Sequence, residues 1–88
     1  MFEVIISNRA ERRLGKLPTH IADDIVRKIY WLAANAPAIR HEYMKGSDEA
    51  SLHVGQYRVL YLIEWTTQTI TIVDIDKHEE AYRRLRRR

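Results

Sequence analysis

The spacing of apolar residues changes once along this chain, and that change limits the possible folds more than any other feature. As far as Leu32 hydrophobic side chains recur at helical intervals, and from Ser51 onward the period shifts towards two. Two helices followed by strands describe an α+β domain whose sheet carries the working surface. With 88 residues there is room for one core, so residues 1–88 read as a single domain. A chain of this size buries roughly 60–65% of the surface its unfolded form exposes, a thin margin that a partner can widen.

Phe2, Val4 and Ile6 alternate with Glu3 and Ile5, predicting a short N-terminal strand. Ser7 is placed to cap a helix over residues 8–16. In that helix Ala10, Leu14 and Leu17 mark the apolar side, and Arg9, Arg12, Arg13 and Lys16 the wet side. Pro18 suits the first turn of a second helix. There Ile21, Ile25, Ile29 and Leu32 form one stripe, and Asn35 and Pro37 end it. Almost nothing joins the two helices, so an antiparallel helical hairpin is expected. Trp31 is expected in the core, with Trp31 or Tyr30 otherwise bordering a partner groove. Residues 38–49 are irregular and polar, with a turn at Gly46-Ser47-Asp48. A three-strand antiparallel meander follows: Ser51–Val54, the Gly55-Gln56 connection, Tyr57–Trp65, a turn at Thr66–Gln68, and Thr69–Ile75. In the last strand Ile70, Ile72 and Asp74 alternate against Thr71, Val73 and Ile75. A short C-terminal helix is expected over residues 79–87.

Composition narrows the chemistry. The chain has no cysteine, which removes disulfides, thiolate catalysis and thiolate zinc sites together. His20, His41, His53 and His78 share no metal-ligand spacing, so neither a metal nor a cofactor is expected. No apolar run approaches the roughly 20 residues needed to cross a bilayer. Met1–Ile6 reads as a strand, not a signal peptide, so no membrane association and a cytoplasmic address are expected. The formal charge is +3, yet the segment RRLRRR at residues 83–88 holds five of the 15 basic residues and no acid. The rest of the chain is slightly acidic, so the basic signal belongs to this tail. It reads either as a solvated, mobile terminus or as an arm for RNA or a partner.

The informative stretch runs from Met44-Lys45-Gly46 through Val54-Gly55-Gln56-Tyr57-Arg58-Val59-Leu60-Tyr61 to Asp76-Lys77-His78 and Tyr82. Neighbouring strands in a meander lie about 4.8 Å apart, so Arg58 and a group at the end of the last strand can converge on one face. These segments, with Arg13-Leu14-x-Lys16-Leu17-Pro18 at the helix connection, resemble the RelE/ParE superfamily of prokaryotic toxins over nearly the whole chain. The resemblance implies the RelE-like microbial ribonuclease fold. RelE-like members cut mRNA in the ribosomal A site without a metal, whereas ParE-like members poison DNA gyrase; the wording of this chain is nearer the RelE side.

On that resemblance the expected catalytic set is Arg58, His78 and Tyr82. Arg58 occupies the Tyr-Arg position and can grip a phosphate with two donors; as a structural residue it would instead pair with Glu64 or Asp74. The reference pKa of a histidine is about 6.5, so His78 is suited to act as acid or base near neutrality. Tyr82 matches a late aromatic that contacts substrate, or else covers the sheet. Lys45, His53 and Lys77 are the expected RNA-binding residues. Ser51 departs from the pattern, which often has basic residues on this strand, and Asp76, Glu79 and Glu80 bring acid close to His78. The implied partners are a cognate antitoxin in a hetero-oligomer, together with the ribosome and mRNA. The competing expectations are a non-catalytic gyrase inhibitor and a toxin relic acting as an antitoxin-bound co-repressor.

Overall fold

The computed structural model describes residues 1–77. The expected C-terminal helix, His78, Tyr82 and the basic tail lie outside the described residues. The elements are β1 (Glu3–Ile6), α1 (Asn8–Gly15), α2 (Thr19–Asn35), β2 (Glu42–Tyr43), β3 (Ala50–Val54), β4 (Tyr57–Glu64) and β5 (Thr69–Lys77). A single 3₁₀ turn, Ala36–Ala38, carries the chain over Pro37 after α2.

Ser7 performs three tasks at the first junction. Its extended backbone ends β1, its hydroxyl accepts the Ala10 N–H at 3.1 Å, and the same hydroxyl donates to the Val73 carbonyl at 2.8 Å. One short side chain thus caps α1 and ties it to β5. Pro18 sits just outside α2, its carbonyl accepting from both Ile21 and Ala22. Ile25, Ile29, Leu32 and Ala33 are buried along α2. At its end the Asn35 amide donates to the Trp31 carbonyl one turn back, at 2.8 Å. The helices make their main contacts with the sheet and not with each other: α1 lies along β5, and α2 crosses β1 and β3. The Phe2 N–H donates to the Ala33 carbonyl, pinning the N-terminus beneath α2.

The sheet has five strands in the order β1-β5-β4-β3-β2. The meander β3-β4-β5 is antiparallel as expected. Two features extend it. β1 pairs in parallel with β5, from Glu3↔Thr69 to Ile6↔Ile72, which makes the sheet mixed. β2 adds an edge through Glu42↔Ser51 and Tyr43↔Ala50; two residues are too short to show a period of two in the sequence.

A β-bulge decides which residues of β5 face the core. Tyr61 lies opposite Ile72 and Leu60 opposite Asp74, so Val73 is an extra residue. Before the bulge Ile70 and Ile72 point into the core; after it Ile75 does, beside Val59. Simple alternation places Asp74 on the face of Ile70 and Ile72. The bulge corrects this by shifting the phase one residue, which keeps two carboxylates out of the apolar interior. Phe2, Ile25, Ile29, Leu32, Val59, Tyr61, Ile70, Ile72 and Ile75 form the core between helices and sheet.

Candidate functional site

The face of the sheet turned away from the helices is organised around Arg58. Gly55 has φ +58, the left-handed conformation that the first position of a tight two-residue hairpin turn requires, and it sets the register of β3 on β4. In that register His53 lies directly opposite Arg58, and on the other side Asp76 does. Directly opposed residues share a face. His53, Arg58 and Asp76 therefore form one row across three strands, with Leu60 and Asp74 in the next row.

Asp74 and Asp76 are only 6% and 5% exposed, an arrangement that is costly unless each charge is matched. Arg13 of α1 supplies the match. Its Nε lies 3.1 Å from Asp74 Oδ1 and its Nη1 3.0 Å from Asp76 Oδ1, so one guanidinium spans both carboxylates. Arg9 approaches Asp74 more loosely, at 3.9 Å. Asp74 Oδ1 also accepts the N–H of Ile75 at 2.8 Å. Sequence periodicity assigns Arg13 to the wet side of its helix; in the fold it is half-buried and ion-paired. The available signal was an Asp-x-Asp pair inside an otherwise apolar strand, which demands a cation from elsewhere in the chain.

Arg58 is partly buried, and its buried Nε has no hydrogen-bond partner among the described residues. Among the described residues no ion pair joins it to Glu64 or Asp74; the carboxylate of Asp74 is engaged by Arg13 and Arg9. The buried Nε leaves the terminal guanidinium nitrogens of Arg58 to meet any ligand.

The other predicted residues separate into two groups. Lys77 lies opposite Tyr57, at the same end of the sheet as Arg58 but on the helix-side face, where Lys77 and Tyr57 line a cleft with Ile21, Val54 and Gln56. Lys45 lies elsewhere. It occupies the turn between β2 and β3, closed by the Ser47 N–H on the Met44 carbonyl and by Gly46 at φ +72. That turn projects beyond the Ala50↔Tyr61 end of the hairpin, while His53 and Arg58 sit towards the opposite end. Of the expected set within residues 1–77, the fold brings His53 and Arg58 together on one face, places Lys77 at the same end on the other face, and leaves Lys45 apart.

One further polar pair lies beneath the sheet. The Tyr61 hydroxyl contacts Nδ1 of His41, whose Nε2 is 2.8 Å from the Ala36 carbonyl. A carbonyl only accepts, so Nε2 carries the hydrogen and Nδ1 accepts from Tyr61. Burial, helped by Tyr43 and Glu42 nearby, pushes the Tyr61 hydroxyl up to about 12. The His41 ring also meets Trp65 edge-on, and Trp65 meets Phe2. These contacts give His41 a packing role. Trp31, expected in the core, is 40% exposed instead, and Tyr30 is 49% exposed.

Comparisons with known proteins agree on this architecture. A family profile described as the ParE toxin of the type II toxin–antitoxin system, parDE, matches residues 4–82. The toxin–antitoxin complex RelBE2 of Mycobacterium tuberculosis aligns at 26% identity and a TM-score of 0.76, covering 86% of this chain and 90% of that one. The archaeal RelE–RelB complex from Pyrococcus horikoshii OT3 aligns at 21% identity and 0.71, over 86% and 93%. The isolated RelE toxin of E. coli aligns at 16% and 0.74, over 97% and 99%. The last two are likenesses of fold. No curated protein matches the chain significantly in sequence.

Proposed function

This chain belongs to the ParE toxin family of type II toxin–antitoxin systems, within the RelE/ParE superfamily, and from that premise we propose that it is a ribosome-dependent, metal-independent mRNA endonuclease that inhibits translation. The observation that supports this reading best is Arg58. It is partly buried on the face of the sheet opposite the core, its buried Nε without a partner among the described residues, beside two carboxylates paired with Arg13.

The chemistry follows from RNA itself. The ribose 2′-oxygen attacks the adjacent phosphorus, an O2′–P bond forms, and the P–O5′ bond breaks. The 2′-OH loses a proton to a base, and the departing 5′-oxygen gains one from an acid. Negative charge builds on the phosphorane-like transition state, and a positioned guanidinium opposes it. In this proposal Arg58 holds that charge, His78 serves as acid or base, and Tyr82 orients the base or the leaving group. A positioned acid or base contributes typically about 10²–10⁴-fold. His53 steers the RNA beside Arg58, Lys77 contacts it from the other face at the same end of the sheet, and Lys45, at the far end, contacts a more distant phosphate. The partner that silences the toxin is a cognate antitoxin.

The match to a ParE profile favours a second reading, a gyrase inhibitor that catalyses nothing itself. Primer extension on mRNA from a reconstituted translation reaction separates the two. Ribosome-dependent breaks that disappear with Arg58→Ala support the nuclease. Growth arrest with intact mRNA and inhibited supercoiling replaces it with the gyrase reading.

A further inference from the structure

His53 faces two ways. It is the cross-strand neighbour of Arg58, and it also lines a groove of about 300 Å³ at the β2–β3 side of the molecule. The other walls of that groove include Lys28 and Trp31 from α2, Arg40 from the segment after the 3₁₀ turn, and Ser51 from β3. The Lys28 ammonium lies 3.8 Å from the centre of the Trp31 ring, which steadies the indole while 40% of the residue stays exposed. Neither Lys28 nor Arg40 forms an ion pair among the described residues. Glu42 is the one acid in the groove wall. A part-exposed aromatic ring flanked by cations that no carboxylate pairs among the described residues is the chemistry that binds single-stranded nucleic acid: bases stack and phosphates are neutralised. Ser51 leaves β3 without a basic side chain at that position, and the groove supplies charge there from α2 and from Arg40.

We infer that this groove is a subsite for single-stranded RNA, in which Trp31 stacks on a base and Lys28 and Arg40 hold the flanking phosphates. The strand continues past His53 to Arg58. The inference rests on the nuclease reading for the identity of the strand as mRNA, but the binding event can be tested separately.

The probe is a 2′-O-methyl oligoribonucleotide of eight residues, which cannot be cleaved through its 2′-oxygen. The full-length protein carries Trp65→Phe, so that Trp31 is the remaining tryptophan. Titration is expected to quench Trp31 fluorescence. In the wild-type background Trp31→Leu weakens binding about tenfold, and Lys28→Gln and Arg40→Gln each lower the salt dependence by about one counterion. Thermal melts of each variant establish that it is folded. Unquenched Trp31, with unchanged affinity and salt dependence in folded variants, overturns the subsite even if the protein cuts mRNA. Variants that bind the oligonucleotide normally but lose the antitoxin also overturn it, and assign the groove to a protein. Quenching and weakened variants in a protein that leaves translated mRNA intact uphold the RNA subsite and remove the nuclease reading alone.

Discussion

The two ends of the open sheet face differ in kind. One end carries His53, Arg58, Asp76 and Asp74 in adjoining rows, with Arg13 reaching in from α1. At the other, Ile5, Thr71 and Leu62 form a single row across β1, β5 and β4, and Ile5 and Leu62 are 49% and 39% exposed. The bulge at Val73 separates them. On the apolar side the strands pair regularly from β1 to β4. On the charged side β1 has ended, and α1 runs beside β5 in its place. Where a strand gives way to a helix, a long side chain from that helix can reach the sheet. The buried carboxylates stand at the end where a side chain of α1 reaches the sheet to balance them.

The largest effect expected from breaking this contrast is catalytic. Arg58→Ala should reduce ribosome-dependent cleavage by about 10²–10³-fold, the scale of losing one preorganised charge contact. Its melting temperature should change little, which a thermal scan beside the cleavage assay will show. Next is Arg13→Ala, which leaves Asp74 and Asp76 buried without their shared cation. Loss of a partner in a fully buried pair costs about 3–5 kcal/mol. Because the Arg13 side chain is 41% exposed, about 2–3 kcal/mol is expected here, measured by urea unfolding. Adding Asp76→Asn should recover part of the loss; a double variant no more stable than Arg13→Ala would show that charge balance is not the reason for the pairing.

The apolar end has its own buried polar pair, and pH sharpens the contrast. The Tyr61 hydroxyl is raised from the ordinary 10.0 to about 12, so the folded protein holds this proton more tightly than the unfolded chain. That contribution is fully present below pH 10 and is lost as pH rises towards 12. Linkage puts the loss at roughly 2–3 kcal/mol. Tyr61→Phe should flatten this alkaline decline and cost about 1 kcal/mol at neutral pH through the His41 hydrogen bond. The smallest effect is expected from Leu62→Lys, which places a cation on the apolar row. Stability should move by no more than about 0.5 kcal/mol. Cleavage should be unchanged; a marked change would mean that RNA also crosses the apolar end.

Much of the fold was legible because its signals are local. Ser7 as a cap, the Ile21–Leu32 stripe, the Gly55 hairpin and the switch to period two each depend on residues a few positions apart. β2 was not legible, because Glu42–Tyr43 is held by its pairing with β3 and not by its own pattern. The site was legible in part: Arg58 and His53 are neighbours across a two-residue turn, and local chemistry sets that distance. Trp31 looked apolar and therefore internal, but hydrophobicity does not specify which side of a helix meets the sheet.

By itself the sequence determined the α+β class, where its first two helices begin and end, and that Arg58 emerges next to a tight hairpin. Those features are settled by backbone preferences and side-chain spacing within a few residues. Tertiary structure alone decided that β1 lies parallel to β5, that a bulge at Val73 turns Asp74 and Asp76 out of the core, and that Arg13 meets them there. It also decided that Lys45 stands apart from Arg58 and that Lys28, Trp31 and Arg40 share a groove with His53. The reason is physical: a buried charge and its counter-ion have no preferred separation along the chain, and only packing of the whole core brings them together.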